Sequence, residues 1–193
     1  MKYLEAIRQY RPWNEQEAKD KELILKLCGE NPDILHRSSG AAHLTASNWI
    51  VNKNRTKVLM VYHRIYDSWA WTGGHADGEE DLLAVALREA KEETGCRNVR
   101  PILEDIYSLE CLTVDGHQKN GVYVPSHLHL NVTYLLEADE EEELVPKDDE
   151  NLGVKWFTLE ESVSVPSERW MVENIYRKLN AKLKEIGRWF SEK

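Results

Sequence analysis

One helical stretch, residues 81–95, restricts what this chain can fold into more than any other part of the sequence. On a helical wheel of about 100° per residue with Glu89 at zero, Leu82 falls near 20° and Val85 near −40°. Glu93 falls near 40° on the same wheel. A stripe that begins as a core-facing apolar row therefore ends in two acids, whereas an ordinary surface helix places its acids opposite the stripe.

Two carboxylates on the core-facing side of a helix need a compensating partner. Like charges four residues apart cost about 0.2–0.5 kcal/mol when exposed, and partial burial raises that cost. Arg88 can pair with Glu92, but no cation on the helix faces Glu89 and Glu93 together. The compensation is an arginine from elsewhere, a raised pKa or a divalent metal ion. We therefore predict a metal or catalytic site at this face.

A glycine-rich turn, residues 71–78, comes immediately before the helix. The paired glycines Gly73 and Gly74 let a ligand approach the backbone carbonyls closely. Such a loop on its own is usually only a turn. Followed by this helix, it predicts a cradle with hard oxygen ligands for Mg²⁺ and open space for a phosphate chain.

The spacing of these residues resembles the Nudix box of the Nudix hydrolase family. The box reads Gly-x5-Glu-x7-Arg-Glu-U-x-Glu-Glu-x-Gly-U, where U is a bulky apolar residue. The two U positions carry Ala90 and Cys96, which are smaller than usual, and Thr72 stands where many members have proline. The resemblance is of the bacterial type, covers about residues 40–160 and leaves the substrate subgroup unassigned. The fixed positions of the box are Gly74, Glu80, Arg88, Glu89, Glu92, Glu93 and Gly95.

The resemblance implies an α/β (α+β) fold, a Nudix-type α/β/α sandwich with a mixed sheet. It also implies metal-dependent hydrolysis of a diphosphate linkage in a nucleoside diphosphate joined to another moiety, with Mg²⁺ or Mn²⁺ as cofactor. In that case Arg88 orients the catalytic glutamates, and Gly74, Glu80 and Gly95 shape the box. The implied metal ligands are the Gly73 carbonyl, Glu89, Glu92, Glu93 and a loop acid, for which we choose Glu150 over Asp148 and Asp149.

Candidate substrate contacts lie outside the box. Strand alternation puts His127 and His129 on one face with Asn131 and Thr133, where they contact phosphate or a base, or simply form a half-exposed strand. Trp69 can stack on a planar ring or belong to the core, and Arg64 is a candidate phosphate contact. No histidine shows metal-ligand spacing with a cysteine, so we expect no zinc site.

The sequence as a whole predicts two parts, an N-terminal helical extension and a hydrolase domain. Residues 1–38 form a helical extension packed on the domain, with an Asn14–Glu17 capping box opening its second helix. Residues 39–193 form the Nudix hydrolase domain, including a hairpin around Asn52 and a long C-terminal helix capped by Ser167.

Charge and composition limit the partners. Lys and Arg total 25 against 34 Asp and Glu, a net charge of 25 − 34 = −9, which disfavours binding to duplex nucleic acid or membrane surfaces. The longest apolar run, residues 82–87, is far shorter than the roughly 18 residues of a membrane span. Three cysteines without a CxxC pair indicate no disulfide scaffold and a reducing, cytoplasmic location.

The expected partner is therefore a small-molecule nucleoside diphosphate derivative, and the amphipathic C-terminal helix leaves a homodimer possible. Two alternatives differ in class. One is a Nudix-fold module that binds or senses a nucleotide or nucleotide sugar without turnover. The other is isomerisation of isopentenyl diphosphate, which is associated with a catalytic cysteine that neither Cys96 nor Cys111 supplies convincingly.

Overall fold

A computed structural model describes residues 2–119 and 121–191. Five α-helices are present there: α1 (Lys2–Gln9), α2 (Glu15–Glu30), α3 (Leu82–Thr94), α4 (Arg169–Met171) and α5 (Arg177–Ser191). The first strands are β1 (Ala42–Val51), β2 (Lys57–His63), β3 (Ser68–Ala70), β4 (Thr72–His75) and β5 (Arg100–Pro101). The later strands are β6 (Ser108–Val114), β7 (His117–Lys119), β8 (Val122–Val124), β9 (His127–Glu137) and β10 (Asn151–Thr158).

The chain divides into two compact units. The first unit contains the residues up to Asn48, Gly73–Glu89 and Leu103–Leu135. The second unit contains Trp49–Thr72, Ala90–Ile102 and the residues from Leu136 on. Three elements, β1, α3 and β9, continue from one unit into the other. The division predicted at residues 38 and 39 stays a prediction, and residues 1, 192 and 193 lie outside the described residues.

In the first unit, α2 lies along β6. Asn14 Oδ1 accepts from Glu17 N at 2.9 Å, as the cap prediction requires. The Glu17 carboxylate accepts from Trp13 N at 2.7 Å. Asp20 accepts from Cys111 N at 3.0 Å. The helical extension is thus joined to β6 by polar contacts between a side chain and the backbone.

The sheet of the first unit places the candidate histidines. β6 pairs antiparallel with β9, with Ser108 opposite Thr133 and Val114 opposite His127, and β4 pairs with β1. β7 and β8 form a short antiparallel hairpin that the sequence did not predict. Because side chains alternate along a strand, His127 and His129 share one face of β9.

In the second unit, the predicted hairpin is confirmed. β2 pairs antiparallel with the end of β1, with Val51 opposite Val58. Asn52 Oδ1 holds the turn by accepting from Thr56 N at 2.9 Å and Lys57 N at 3.0 Å. β2 also pairs with β3 and β10, and β5 pairs with β9. The eight-stranded sheet has the order β10-β2-β1-β9-β5, which confirms the predicted α/β fold with a large sheet.

Helix α3 has a side-chain cap at its start and a glycine at its end. Asp81 Oδ1 accepts from Ala84 N at 3.1 Å, so it satisfies one of the free N–H groups of the first turn. Gly95 has a φ of 75° and ends the helix in the left-handed region. The segment therefore needs no partner outside itself to fix its boundaries.

The C-terminal helix departs from prediction at its start. Glu168, not Ser167, occupies the N-cap, and it makes no side-chain capping bond. Ser167 N instead donates to Ser68 Oγ at 2.9 Å. A π-helical turn, Val172–Tyr176, separates α4 from α5. The apolar stripe itself is as predicted, with Ile175, Leu179 and Leu183 buried.

Composition led to two predictions, one about disulfides and one about membrane spans. Cys28, Cys96 and Cys111 are free thiols. Over residues 2–119 and 121–191, helix length and hydropathy nowhere reach what a membrane crossing requires.

Candidate active site

The apolar stripe of α3 does end in acids. Leu82, Val85 and Ala90 are at most 3% exposed, and Glu93, at the end of the same stripe, is also only 3% exposed. The Glu89 side chain is 14% exposed. A carboxylate held this far from water requires hydrogen-bond donors or a cation beside it.

Gly74, the second of the paired glycines, packs against the Glu89 carboxylate. A Cβ atom built on Gly74 would lie 2.7 Å from each carboxylate oxygen of Glu89, so only glycine leaves room for that carboxylate. A Cβ on Gly73 would lie 2.7 Å from Ala46 O in β1. Arg88 Nη2 lies 3.2 Å from Glu89 Oε1, so a cation contacts the carboxylate from its own helix. The glycine turn and Arg88 together fix where this carboxylate lies.

In the second unit, Glu93 has a donor that the sequence did not single out. Asn151 Nδ2 donates to Glu93 Oε2 at 3.0 Å, and Asn151 is 1% exposed. The available signal was its position directly after the loop acid Glu150, at the start of a strand. An amide there holds the carboxylate in one orientation.

Lys147 lies within ion-pair distance of the two remaining acids, Glu92 and Glu150. Its Nζ lies 2.9 Å from Glu150 Oε2 and 3.8 Å from Glu92 Oε2. Glu92 and Glu150 are thus both within reach of one cation, although they are 58 residues apart in sequence. Both side chains are nearly half exposed, so solvent screens this pairing.

The predicted substrate contacts of the second unit have different surroundings. Arg64 N donates to Glu150 O at 3.0 Å, so Arg64 lies beside the loop that carries Glu150, called the acidic loop below. The Trp69 ring packs edge-on against Tyr62 and Phe157, at centroid distances of 5.4 Å and 4.7 Å. Trp69 is therefore part of the aromatic packing of the sheet.

In the first unit, His127 and His129 meet as predicted, with Nε2 atoms 3.2 Å apart. Two further histidines join them. The His43 ring centroid lies 4.9 Å from those of both His127 and His129, and the His75 centroid lies 5.0 Å from that of His43. Burial lowers the pKa of His43 to about 4 and the pKa of His129 to about 2, with smaller contributions from neighbouring histidines.

Asn131 follows the two histidines along β9. Its amide donates to Glu110 Oε2 at 3.0 Å, and its Oδ1 accepts from Thr45 and Ser47. Asn131 and Thr133 are fully buried. This burial does not favour the hypothesis that Asn131 joins the histidines in binding phosphate or a base, and the hypothesis stays a prediction.

Glu80 lies in a different environment from the other box acids. It is exposed and precedes the helix, whose first turn is capped by Asp81. Burial raises the pKa of Tyr3 in α1, and the nearby Cys28 and Glu80 raise it further. Glu80 thus faces the N-terminal helix, and its bracing role stays a prediction.

Comparison with known proteins gives one family. The model of the NUDIX domain matches residues 41–182, well over half of the chain. A solved NUDIX-family hydrolase from Clostridium perfringens is 25% identical, with a TM-score of 0.53, over 75% of this chain and 97% of that one. An Ap4A hydrolase from C. elegans is 19% identical with a TM-score of 0.51, over 78% and 98% of the two chains, and this likeness concerns the fold alone.

A curated relative matches a shorter stretch more strongly. The CMP-5'-(N-acetyl-N-hydroxy-3-aminopropyl)phosphonate hydrolase of Streptomyces rubellomurinus is 44% identical over 73 residues. That stretch is 35% of this chain, and it spans only a third (33%) of the relative's length.

Proposed function

Because this chain belongs to the NUDIX family and is a Nudix hydrolase, we propose that it cleaves a diphosphate linkage between a nucleoside and another group. The reaction requires Mg²⁺ or Mn²⁺. One observation carries the proposal: Glu89 and Glu93 lie one turn apart on α3, both withdrawn from solvent, one against Gly74 and the other beneath Asn151.

The donor set fits a hard divalent cation. Carboxylates from Glu89, Glu92, Glu93 and Glu150 and the Gly73 carbonyl supply only oxygen atoms, which Mg²⁺ prefers. The absence of a side chain on Gly74 leaves room for the Glu89 carboxylate. Lys147 already contacts Glu92 and Glu150, which supports a position of high negative potential there.

Divalent ions bound at these residues neutralise phosphate charge and lower the pKa of water. Arg88 and Asn151 keep the Glu89 and Glu93 carboxylates in their positions. The oxygen of a water molecule attacks one phosphorus, the bridging P–O bond breaks, and the proton passes to a carboxylate. We assign that acceptor to Glu92 or Glu150, because both side chains are nearly half exposed and accessible to water.

The substrate class is suggested by the curated relative that is 44% identical over 73 residues. That relative's name describes a nucleoside monophosphate joined to a phosphonate. We propose the same type of bond here, a phosphorus anhydride with a nucleoside monophosphate on one side. Arg64, at the end of the acidic loop, is the proposed phosphate contact.

A substrate panel tests this function. ADP-ribose, dinucleotides, nucleotide sugars, nucleoside triphosphates, capped RNA ends and a CMP-linked phosphonate are incubated with Mg²⁺, and phosphate or nucleoside monophosphate release is measured. Glu93→Gln keeps the shape of a ligand and removes its charge, so we expect a loss of at least about 100-fold. Glu22→Gln, on the exposed face of α2, is the matched control.

The results separate enzyme from binding module. Turnover that needs a divalent ion and Glu93 supports the proposal. Full activity of Glu93→Gln would contradict the ligand assignment. Binding of a nucleotide or nucleotide sugar by calorimetry, without turnover of any panel member, would favour the sensing module instead.

A further inference from the structure

We propose that His43, His75 and His129 form a second metal site, which binds Zn²⁺ through three imidazole nitrogens. All three residues belong to the first unit. They come from three strands, β1, β4 and β9. None of them is among the carboxylate ligands proposed for Mg²⁺, and the inference does not depend on the proposed hydrolysis.

The nitrogens already lie close together. One ring nitrogen from each of the three residues lies within 4.8 Å of the other two. Two nitrogens bound to one tetrahedral Zn²⁺ at about 2.05 Å are about 3.4 Å apart. The rings therefore need to approach one another by at most about 1.4 Å, which small side-chain rotations supply. Three histidines leave the fourth tetrahedral position for a water molecule.

His43 supplies a second, independent observation. It is 4% exposed, and among the described residues neither of its ring nitrogens has a hydrogen-bond partner. A buried polar group without a partner is unfavourable by about 1–3 kcal/mol. A metal ion bound to one nitrogen satisfies that nitrogen, whereas a purely structural role for a buried histidine does not.

The charge state suits metal binding. Zn²⁺ binds neutral imidazole, and burial lowers the pKa of both His43 and His129. Arg37 also acts on His43, but its Nε donates to Asp77 Oδ1 at 2.8 Å, so that cation is already compensated.

His127 orients one of the ligands. Its Nδ1 lies 2.9 Å from Pro125 O, and a carbonyl only accepts, so Nδ1 carries the hydrogen. A neutral His127 then presents the Nε2 lone pair to His129 Nε2 at 3.2 Å. Partners of this kind fix the ring orientation of metal-binding histidines.

The ligand chemistry selects the ion. Imidazole nitrogens suit Zn²⁺ and neighbouring transition metals, whereas Mg²⁺ takes oxygen ligands. The expectation of no zinc site came from the absence of a histidine–cysteine spacing. That criterion recognises ligands from one loop, but here β1, β4 and β9 bring together residues 32 and 54 positions apart.

Zinc binding is tested on the purified full chain. The protein is stripped with EDTA, incubated with Zn²⁺ in excess Mg²⁺ and desalted, and bound zinc is counted by mass spectrometry. Replacement by Co²⁺ gives the visible absorption of a tetrahedral site. The variants are His75→Ala and His129→Ala, with the exposed His36→Ala as matched control and Glu93→Gln as control for the carboxylates.

We expect one zinc per chain, unaffected by Mg²⁺, and a visible Co²⁺ spectrum. Each ligand variant should weaken binding by more than about 100-fold, beyond the effect of an outer-shell change. His36→Ala and Glu93→Gln should bind as the wild type does. Circular dichroism of the EDTA-treated variants checks their folding, and Zn²⁺ should raise the Tm of the wild type only.

Three results would overturn the site. They are no retained zinc in the wild type, zinc that Mg²⁺ displaces, and zinc that folded His75→Ala and His129→Ala both keep. Zinc lost in Glu93→Gln would assign the ion to the carboxylates instead.

Discussion

Asn151 donates its side-chain amide to Glu93 Oε2 at 3.0 Å, and both residues are almost completely buried. The pair joins the start of β10 to the end of α3 within the second unit. An amide in this position limits the orientations of the Glu93 carboxylate, so a metal ligand on a helix is positioned by a residue on a strand.

Replacing Asn151 by alanine should weaken Mg²⁺ activation without removing a ligand. We expect about a 10–100-fold rise in the Mg²⁺ concentration that gives half-maximal turnover, because Glu93 loses its orienting donor. The unfolding free energy should fall by about 1–3 kcal/mol, since a buried carboxylate loses a hydrogen bond. Mg²⁺ titration of activity and urea unfolding measure the two effects.

The exposed Asn174 offers a matched control, because its amide donates at 2.9 Å to Trp170 O, a local contact four residues away. Asn174→Ala should leave the Mg²⁺ requirement unchanged. Equal Mg²⁺ requirements in Asn151→Ala and wild type would show that Glu93 needs no orienting partner.

Gly74 and Gly29 make a second matched pair. A Cβ on Gly74 would meet the Glu89 carboxylate at 2.7 Å, whereas a Cβ on Gly29 in α2 has nothing within 4 Å. Gly74→Ala should therefore displace Glu89 and reduce metal-dependent turnover by about 100-fold. Gly29→Ala should keep activity and stabilise the protein by about 0.5–1 kcal/mol, because alanine favours the helix.

Turnover assays and thermal unfolding distinguish the two variants. If Gly74→Ala retained wild-type activity, the packing of the glycine turn on Glu89 would have no role in positioning the carboxylate.

The sequence predicted the helix of the site because its signals are local. The wheel places Glu89 and Glu93 at the end of the apolar stripe, and burial follows the wheel, with Glu93 only 3% exposed. Asp81 and Gly95 act on their own helix, so spacing alone located both ends. The roles assigned to the individual box residues remain predictions.

The contacts that the sequence missed join distant segments. Asn151 and Glu93 are 58 residues apart, and Lys147 meets Glu92 from a loop without a periodic pattern. Only strand pairing brings His43 beside His129. No spacing rule covers such pairs, because the register of the strands decides them.

The acidic segment 139–143 shows the same limit. A run of acids is typical of a solvated surface, yet Glu142 accepts from Arg97 N at 2.6 Å and Asn98 Nδ2 at 2.7 Å, and Glu140 pairs with Lys57 at 2.6 Å. Composition counts the charges, but it does not reveal which backbone groups need an acceptor.

Ser108 should matter for stability rather than for activity. Its hydroxyl, fully buried, lies 2.7 Å from Glu17 Oε1 and also contacts Glu110, and both carboxylates are fully buried. Removing the hydroxyl leaves two buried acids with one donor fewer, so Ser108→Ala should lower the unfolding free energy by about 2–3 kcal/mol.

Urea unfolding measures this change, with Ser164→Ala as control. Ser164 is exposed, so its replacement should stay within about 0.5 kcal/mol. A Ser108→Ala protein as stable as the control would mean that Glu17 and Glu110 do not need the bridging hydroxyl.

His43 should make the metal-free protein less stable in acid. Burial, with a smaller effect of His127, lowers its pKa from 6.5 to about 4, so the unfolded chain takes up a proton that the folded chain refuses. The stabilising contribution is complete above pH 6.5 and is lost as the pH falls toward 4. Between pH 7.5 and 4.5 the loss is about 2–3 kcal/mol. The groups that act on this ring are Arg37, Asp77, His75, His127 and His129.

Other acids and histidines also titrate in this range, so a variant at residue 43 is needed to isolate the contribution of His43 to the unfolding free energy. Urea unfolding of wild type and His43→Leu is compared in EDTA at pH 7.5 and 4.5. The wild type should lose about 2–3 kcal/mol more than the variant, which has no imidazole to protonate at residue 43. Equal losses would mean that His43 binds its proton as readily in the folded protein as in the unfolded chain. Saturating Zn²⁺ should raise the unfolding free energy of the wild type at pH 7.5 more than that of the variant, since only the wild type keeps all three imidazole ligands.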